Sequence, residues 1–459
     1  MEREQQREGA ALRRRVRRQP RPGLTLAAGF LVLIGIGTVV LSLPIASADG
    51  RWTSPIVALF TATSAVCVTG LVVVDTGTYW SPFGQLVVLV LIQVGGLGFM
   101  TSSTLLLLLL VGRASSLNDR IEAQETLGVR DLGSVRPVLR LVVSFTIIAE
   151  AAGWLVLTLA FATRYRDPAE AAWRGLFHSI SAFNNAGFDL MANFRSLTAF
   201  ADDPAVLVPI ALLVIMGGLG AAIVADVAAK RRWRRFALET KLVLSVSAVL
   251  LVMGTGLLLA FEAGNPATLG SMSAPEAVLN AGFQSVAFRS AGMASVPTAS
   301  LTDPSQLAGS ALMFIGGASG STAGGIKITT FAILLAAVFA TVRGRPHVES
   351  FGRRVPDVDV RNALAVALLS IALLFVVVLA LEVTVPGAPS LALVFEAVSA
   401  FGTVGYSADL TPTLPESALL ILAVTMFVGR LGPLSLVLAL SARSRPVPYR
   451  AAVESVRIG

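Results

Sequence analysis

With a single cysteine, Cys67, the chain has no second thiol for an internal disulfide, and its two histidines, His178 and His347, are too few and too far apart to suggest a zinc site. No GxxxxGK[ST] loop occurs, so the chain has no visible means of hydrolysing a nucleotide. Charged side chains make up 14% of the residues, too small a share to clothe a water-soluble domain of 459 residues. Sparse histidine and the lack of convergent nucleophile, acid–base or metal residues argue against a membrane enzyme.

Hydrocarbon is abundant instead. Hydrophobic residues account for 54% of the chain and the mean hydropathy is +0.76, which marks an integral membrane protein. Apolar runs near 22–44, 86–111, 138–162, 205–228, 242–261, 307–315 resuming at 326–341, 362–384 and 417–441 can each cross roughly 30 Å of hydrocarbon, giving eight crossings. The run from Leu26 to Leu43 is long for a signal-peptide core and precedes seven more, so it reads as a retained crossing. The net charge of +8 is concentrated beside the spans, with Arg13, Arg14, Arg15, Arg17, Arg18 and Arg21 before the first and Lys230, Arg231, Arg232, Arg234 and Arg235 after the fourth. Both clusters are expected on the cytoplasmic side, and an even number of crossings puts both termini there. Arginines flanking spans set topology or meet lipid headgroups, so the basic balance does not imply nucleic acid.

Shorter segments that cannot span lie between the crossings, at about 54–66, 169–183, 273–284 and 389–400. Each leads into a compact loop: Thr63 to Leu71, Ser181 to Phe188, Ser285 to Met293, and Ala400 to Ser407, the last containing Thr403-Val404-Gly405-Tyr406. A full span follows each loop, and the spans align as Val94-Gly95-Gly96, Met216-Gly217-Gly218, Ile315-Gly316-Gly317 and Val428-Gly429-Arg430. From loop glycine to span glycine the separations are 25 (Gly70 to Gly95), 30 (Gly187 to Gly217), 24 (Gly292 to Gly316) and 24 (Gly405 to Gly429) residues. One unit of helix, pore loop and helix therefore recurs four times, which predicts an all-α membrane fold of four pseudo-symmetric repeats around a central pore. The expected divisions are a basic tail (1–21), repeat 1 (22–112), repeat 2 with its preceding loop (113–228), repeat 3 (229–342), repeat 4 (343–442) and a second tail (443–459). Paired glycines also suit close helix packing, and the two roles can coexist.

Bare backbone at membrane depth is tolerated only where it is bonded or faces a cavity. If Gly70, Gly187, Gly292 and Gly405 occupy equivalent places, four strands can approach one axis and aim carbonyl oxygens at a dehydrated cation such as potassium. The expected filter comprises Thr69, Gly70, Asn185, Gly187, Ser290, Gly292, Val404 and Gly405, with the potassium held by backbone carbonyls at the four glycines. Val68, Thr69, Thr403 and Val404 are expected to hold an extended loop against its supporting helix. Asp75 and Asp189 are candidates for a negative outer mouth, with a plain surface role as the alternative. Ser54-Pro55 and Ser273-Ala274-Pro275-Glu276 read as starts of short helices whose carboxyl ends favour a cation. His178, inside the second such helix, reads as a packing residue.

The sixth span is broken by Gly316-Gly317-Ala318-Ser319-Gly320-Ser321-Thr322-Ala323-Gly324-Gly325, five of whose ten residues are glycine. Such a stretch is a poor helix and a candidate gate loop, with a fixed kink as the alternative. Gly316, Gly317, Ser319, Gly320, Ser321, Thr322, Gly324 and Gly325 are its candidate residues, joined by Arg430 in the eighth span. Arg430 would repel cations at the constriction or bond the loop, or else pin two helices together. Lys327 lies close enough to affect the same region. Arg289, in the third loop, is expected to point away from the axis toward carbonyls or an acid, and Glu150 to pair with an unidentified polar group.

Taken with the loops at Thr69-Gly70-Leu71, Asn184-Asn185-Ala186-Gly187-Phe188, Arg289-Ser290-Ala291-Gly292 and Thr403-Val404-Gly405-Tyr406, these features resemble the Trk/Ktr/HKT superfamily of potassium transporters, and within it the KtrB-like membrane subunits. The resemblance covers about residues 22–442. It implies potassium uptake through a gated, channel-like pore, a homodimer of independent pores, and a cytoplasmic ring of nucleotide-binding, KtrA-like regulatory subunits that would hold any ATP. It also implies potassium as substrate with no organic cofactor on this chain. Glycine at the first filter position resembles the potassium-selective type. Sodium-coupled symport and less selective sodium/potassium passage stay open.

Overall fold

The computed structural model describes residues 22–114 and 135–432. The expected tails at 1–21 and 443–459, with their arginines, and the end of the eighth span after Gly432 lie outside the described residues. Helices α1 (Pro22–Ser42), α2 (Pro55–Val66), α3 (Thr76–Tyr79) and α4 (Pro82–Ala114) are followed by α5 (Val135–Ala162), α6 (Pro168–Phe183) and α7 (Pro204–Lys230). The chain continues through α8 (Leu238–Glu262), α9 (Ala274–Ala287), α10 (Asp303–Phe314) and α11 (Ile328–Val342). After a small hairpin of β1 (Glu349–Ser350) and β2 (Arg353–Arg354) come α12 (Asp357–Thr384), α13 (Ser390–Gly402) and α14 (Glu416–Leu431).

Among the described residues five helices are long and apolar enough to cross a membrane: α4 over Pro82–Thr101 and α5 over Leu139–Ala162, with α7, α8 and α12. The remaining expected crossings are α1, with 21 residues, the broken pair α10 and α11, and α14, described as far as Leu431. The protein is an all-α, multi-pass membrane protein. Helices α2, α6, α9 and α13 have 12, 16, 14 and 13 residues, too short to span, and each precedes one of the four loops.

Within each unit the short helix packs on its neighbours in sequence, α2 on α1 and α4, α6 on α5 and α7, α9 on α8, and α13 on α12 and α14. Contacts between units close the circle, because α4 meets α6, α7 meets α9, α10 meets α13, and α14 returns to α2. Three of the span glycines explain how close this packing is. A Cβ on Gly95, Gly217 or Gly429 would collide with the carbonyl oxygen of Val66, Phe183 or Phe401, in each case four residues before the loop glycine. The expected equivalence of Gly316 does not hold: it faces the Gly324 carbonyl, because the sixth span has already left the helix at Phe314. Gly309, one helical stretch earlier, lies against the Phe288 ring instead.

Candidate functional site

The four loops meet. In every one the residue two before the loop glycine and the glycine itself are left-handed: Val68 and Gly70 (φ 57° and 93°), Asn185 and Gly187 (59° and 74°), Ser290 and Gly292 (101° and 64°), and Thr403 and Gly405 (46° and 99°). Val68 and Thr403 are therefore not in the extended conformation expected from their β-branched side chains. Leaving a helix end for a strand demands a tight reversal there, and local preference yields to it.

The glycines carry the ring. A Cβ on Gly70 would sit 2.5 Å from the Ala186 carbonyl oxygen, and one on Gly187 would sit 3.1 Å from that of Ala291. On Gly292 it would collide with the Val404 oxygen, and on Gly405 with that of Thr69. Each glycine thus gives its side-chain space to the carbonyl preceding the next glycine, and the sequence of contacts returns to its start. All four glycines line one cavity of about 680 Å³, together with Asp75, Asp189, Asp409 and Arg195.

Hydrogen bonds hold the strands to their helices. Ser64 Oγ accepts from the Gly70 amide (3.0 Å) and Ser399 Oγ from the Gly405 amide (3.2 Å), while Ser181 Oγ donates to the Phe188 carbonyl (2.6 Å). These serines stand six residues before their glycines; Ser285 stands seven before Gly292, so the third loop is one residue longer, and its serine instead donates to Leu251 O (2.9 Å). That repeated serine is a signal written in the sequence six residues ahead of three of the four glycines. The Tyr406 hydroxyl ties the fourth strand to the third unit by donating to Met293 O (2.7 Å), with the Gln284 side-chain amide also against it. Glu396 braces the outer end of the fourth loop by accepting from Thr411 Oγ1 (2.6 Å) and the Ala408 amide (3.1 Å).

The short helices end at Val66, Phe183, Ala287 and Gly402, beside the ring, so their carboxyl-end dipoles converge on it. Asp167 caps α6 through the Ala169 amide (2.9 Å) and Glu276 returns to the Ser273 amide (2.9 Å). Ser54 precedes Pro55 as expected but makes no side-chain cap. At the mouth, Asp75 is committed to backbone amides of Thr78 (2.9 Å) and Phe194 (2.8 Å), stitching the first loop to the second. Asp189 accepts from the Met191 amide (2.8 Å), and burial pushes its carboxyl up to about 7, aided by Asp75 and opposed by that amide, Ser196 and Arg174. His178 packs against Phe161 and Phe177, its Nδ1 at 2.7 Å from Arg174 O and its Nε2 accepting from the Leu190 amide (3.4 Å).

The glycine-rich break is non-helical from Ile315 to Lys327. Its backbone is satisfied by α7: Ala318 N donates to Gly218 O (2.9 Å) and Thr322 N to Gly217 O (3.3 Å). Thr322 Oγ1 also donates to Asn185 Oδ1 (2.9 Å), and the Gly324 amide to Ser290 Oγ (3.3 Å), so the break is hydrogen-bonded to the second and third loops. Ser321 Oγ bonds back to Ala318 O (2.7 Å), and Ser319 Oγ lies 3.1 Å from Thr329 Oγ1. Helix α7 is itself interrupted at Gly220 (φ 76°, ψ 160°), where a Cβ would lie 3.2 Å from Gly320 O. Arg430, 1% exposed, donates to Thr322 O and stacks 4.3 Å from the Phe99 ring centroid. Lys327 Nζ donates to Ala323 O (2.5 Å) over the same ring. Arg289 turns back to Ser247, donating to its carbonyl (3.3 Å) and hydroxyl (3.2 Å). Phe99 carried no motif in the sequence, and only its neighbours mark it; Gly220 closes the Met216-Gly217-Gly218-Leu219-Gly220 run that aligns with Val94 to Gly98.

The TrkH family, described as a cation transport protein, matches residues 17–445. The chain belongs to this family. It is 40% identical to the Ktr system potassium uptake protein B of Bacillus subtilis over 91% of this chain and 92% of that one. It is 35% identical to the potassium/sodium uptake protein NtpJ of Enterococcus hirae over 98% and 99% of the two chains. The crystal structure of the potassium transporter TrkH from Vibrio parahaemolyticus shares the fold at a TM-score of 0.69 and 19% identity, covering 92% of this chain and 86% of that one. As a KtrB-like member of the Trk/Ktr/HKT superfamily of potassium transporters, this chain is a transport protein and not an enzyme.

Proposed function

We propose that this chain carries potassium into the cell through the ring of Gly70, Gly187, Gly292 and Gly405, with Thr69, Asn185, Ser290 and Val404 completing the filter. The observation that carries the reading is the closed order of contacts in which the carbonyls of Thr69, Ala186, Ala291 and Val404 fill the spaces left by the glycines. Carbonyl oxygens brought together in this way replace the hydration shell of a monovalent cation. Beneath them, the break from Gly316 to Gly325 is the gate, with Gly317, Ser319, Gly320, Ser321, Thr322 and Gly324 on the moving segment and Arg430 as its latch. Both termini are cytoplasmic, two copies associate as a homodimer, and a KtrA-like nucleotide-binding ring regulates the gate from that side.

Potassium flux into liposomes carrying the purified chain tests the proposal. Uptake of potassium in preference to sodium, lost on Gly405→Ala, is expected; equal permeation in wild type and variant overturns it. The second reading, sodium-coupled or less selective transport, draws on the four non-identical loops and on the sodium in the name of the Enterococcus hirae relative. Strict dependence of potassium flux on sodium that moves with it would replace simple permeation by symport.

A further inference from the structure

A polar cluster outside the ring joins α4, α5 and the second loop. Glu150, 8% exposed in the middle of α5, accepts from Gln93 Nε2 through Oε2 (2.9 Å) and from Asn184 Nδ2 through Oε1 (2.9 Å). The remaining hydrogen of the Asn184 amide is shared between Gln93 Oε1 (2.9 Å) and Ile180 O (3.0 Å), and Ser179 Oγ of α6 donates to Glu150 O (2.7 Å). An acid within a span is costly, and a tie between two helices could be made without one. What a carboxylate supplies is acceptor capacity on both oxygens, so that it receives two side-chain amides at once; a glutamine has only one such oxygen.

The position of Asn184 gives that capacity its use. It caps the end of α6, three residues before Gly187, and is followed by left-handed Asn185, whose side chain accepts from Thr322. Its Oδ1 fills the notch where a Cβ on Gly96 would otherwise stand. The reversal from helix to strand in the second loop is therefore clamped from α5 by Glu150 and from α4 by Gln93 and Gly96.

We infer that Glu150 is a positioning residue: by holding Asn184 it sets the Ala186 carbonyl in the ring, and with it the preference of the ring among monovalent cations. This rests on the proposed filter. The test measures the affinity of potassium and of sodium separately, from the protection each gives the detergent-solubilised protein against heat, for wild type, Glu150→Ala, Glu150→Gln and Gly96→Ala.

Losing both acceptors that hold Gln93 and Asn184 is expected to shift the potassium-to-sodium affinity ratio by about tenfold or more in Glu150→Ala. Glu150→Gln, which keeps one acceptor, should fall between Glu150→Ala and wild type. Gly96→Ala, which leaves the acid in place and displaces Asn184, should reproduce the shift. An unchanged ratio in all three variants, with only less folded protein, overturns the inference. So does an equal shift in Glu150→Gln and Glu150→Ala, which would assign the effect to charge. Failure of wild-type protein to be protected by either ion strikes at the filter itself and is distinguishable from both results.

Discussion

Gly405 illustrates how one missing methyl group can carry a site. With φ at 99° and the Thr69 carbonyl in the place of its Cβ, an alanine there meets backbone strain of about 1–2 kcal/mol and a collision with backbone that cannot swing aside. Gly405→Ala should lower potassium flux by at least about tenfold, since misplacing one of four ligands removes more than 1.4 kcal/mol; flux at matched protein density checks it. Asp189 supplies a second residue-scale prediction, because it lines the mouth with a carboxyl raised to about 7. Raising pH from about 6 to 8 should ionise it, make the mouth more negative and lower the potassium concentration needed for half-maximal uptake. Asp189→Asn should flatten that dependence. The stability linkage has the opposite sense: the folded state holds this proton more tightly than the unfolded chain, so its stabilising contribution is full below the usual value of 3.8 and fades as pH rises through about 7.

At the scale of elements, the break between α10 and α11 is held by partners from three directions: α7 below its amides, the second and third loops through Thr322 and Gly324, and α14 through Arg430. Those bonds satisfy backbone that no helix satisfies, which is why a glycine-rich segment can be buried at this depth. Removing Arg430 leaves the Thr322 carbonyl without that donor, a loss of about 1–3 kcal/mol from the arrangement seen here. Arg430→Ala should therefore raise potassium flux in liposomes lacking any regulatory subunit, and an unchanged rate and gating response would reject the latch. The contacts of α14 with α13 allow a separate test of stability. Gly429→Ala drives a methyl into the Phe401 carbonyl and should destabilise the fold by about 1–3 kcal/mol, visible as a lower melting temperature.

For the molecule as a whole, four units in one chain enclose a single axis, and in the proposed permeation net cation movement needs only an electrical gradient. A potential of about 100 mV is worth roughly 2.3 kcal/mol per monovalent charge. Potassium uptake into liposomes should follow the imposed potential without nucleotide and stop when the potential is dissipated.

Much of this architecture was legible in the chain. Hydropathy located the five helices that are long and apolar enough to cross, because membrane insertion is a local cost summed along about 20 residues, and the glycines of 316–325 marked the break in the sixth expected span. Recurring glycines identified four loops because a tight approach of backbone excludes every other side chain. The same counting misplaced Gly316, since a span that stops being helical no longer keeps register with its counterparts. What the chain alone determined is the membrane class, the fourfold unit and the four loop glycines, all written in neighbouring residues. Only the tertiary structure decided that Arg430 meets Thr322, that Glu150 meets Gln93 and Asn184, and that each glycine faces the carbonyl of the next strand. Those partners lie tens to hundreds of residues apart, and an isolated polar residue in a hydrophobic span announces that it needs a partner without naming which one folding will bring to it.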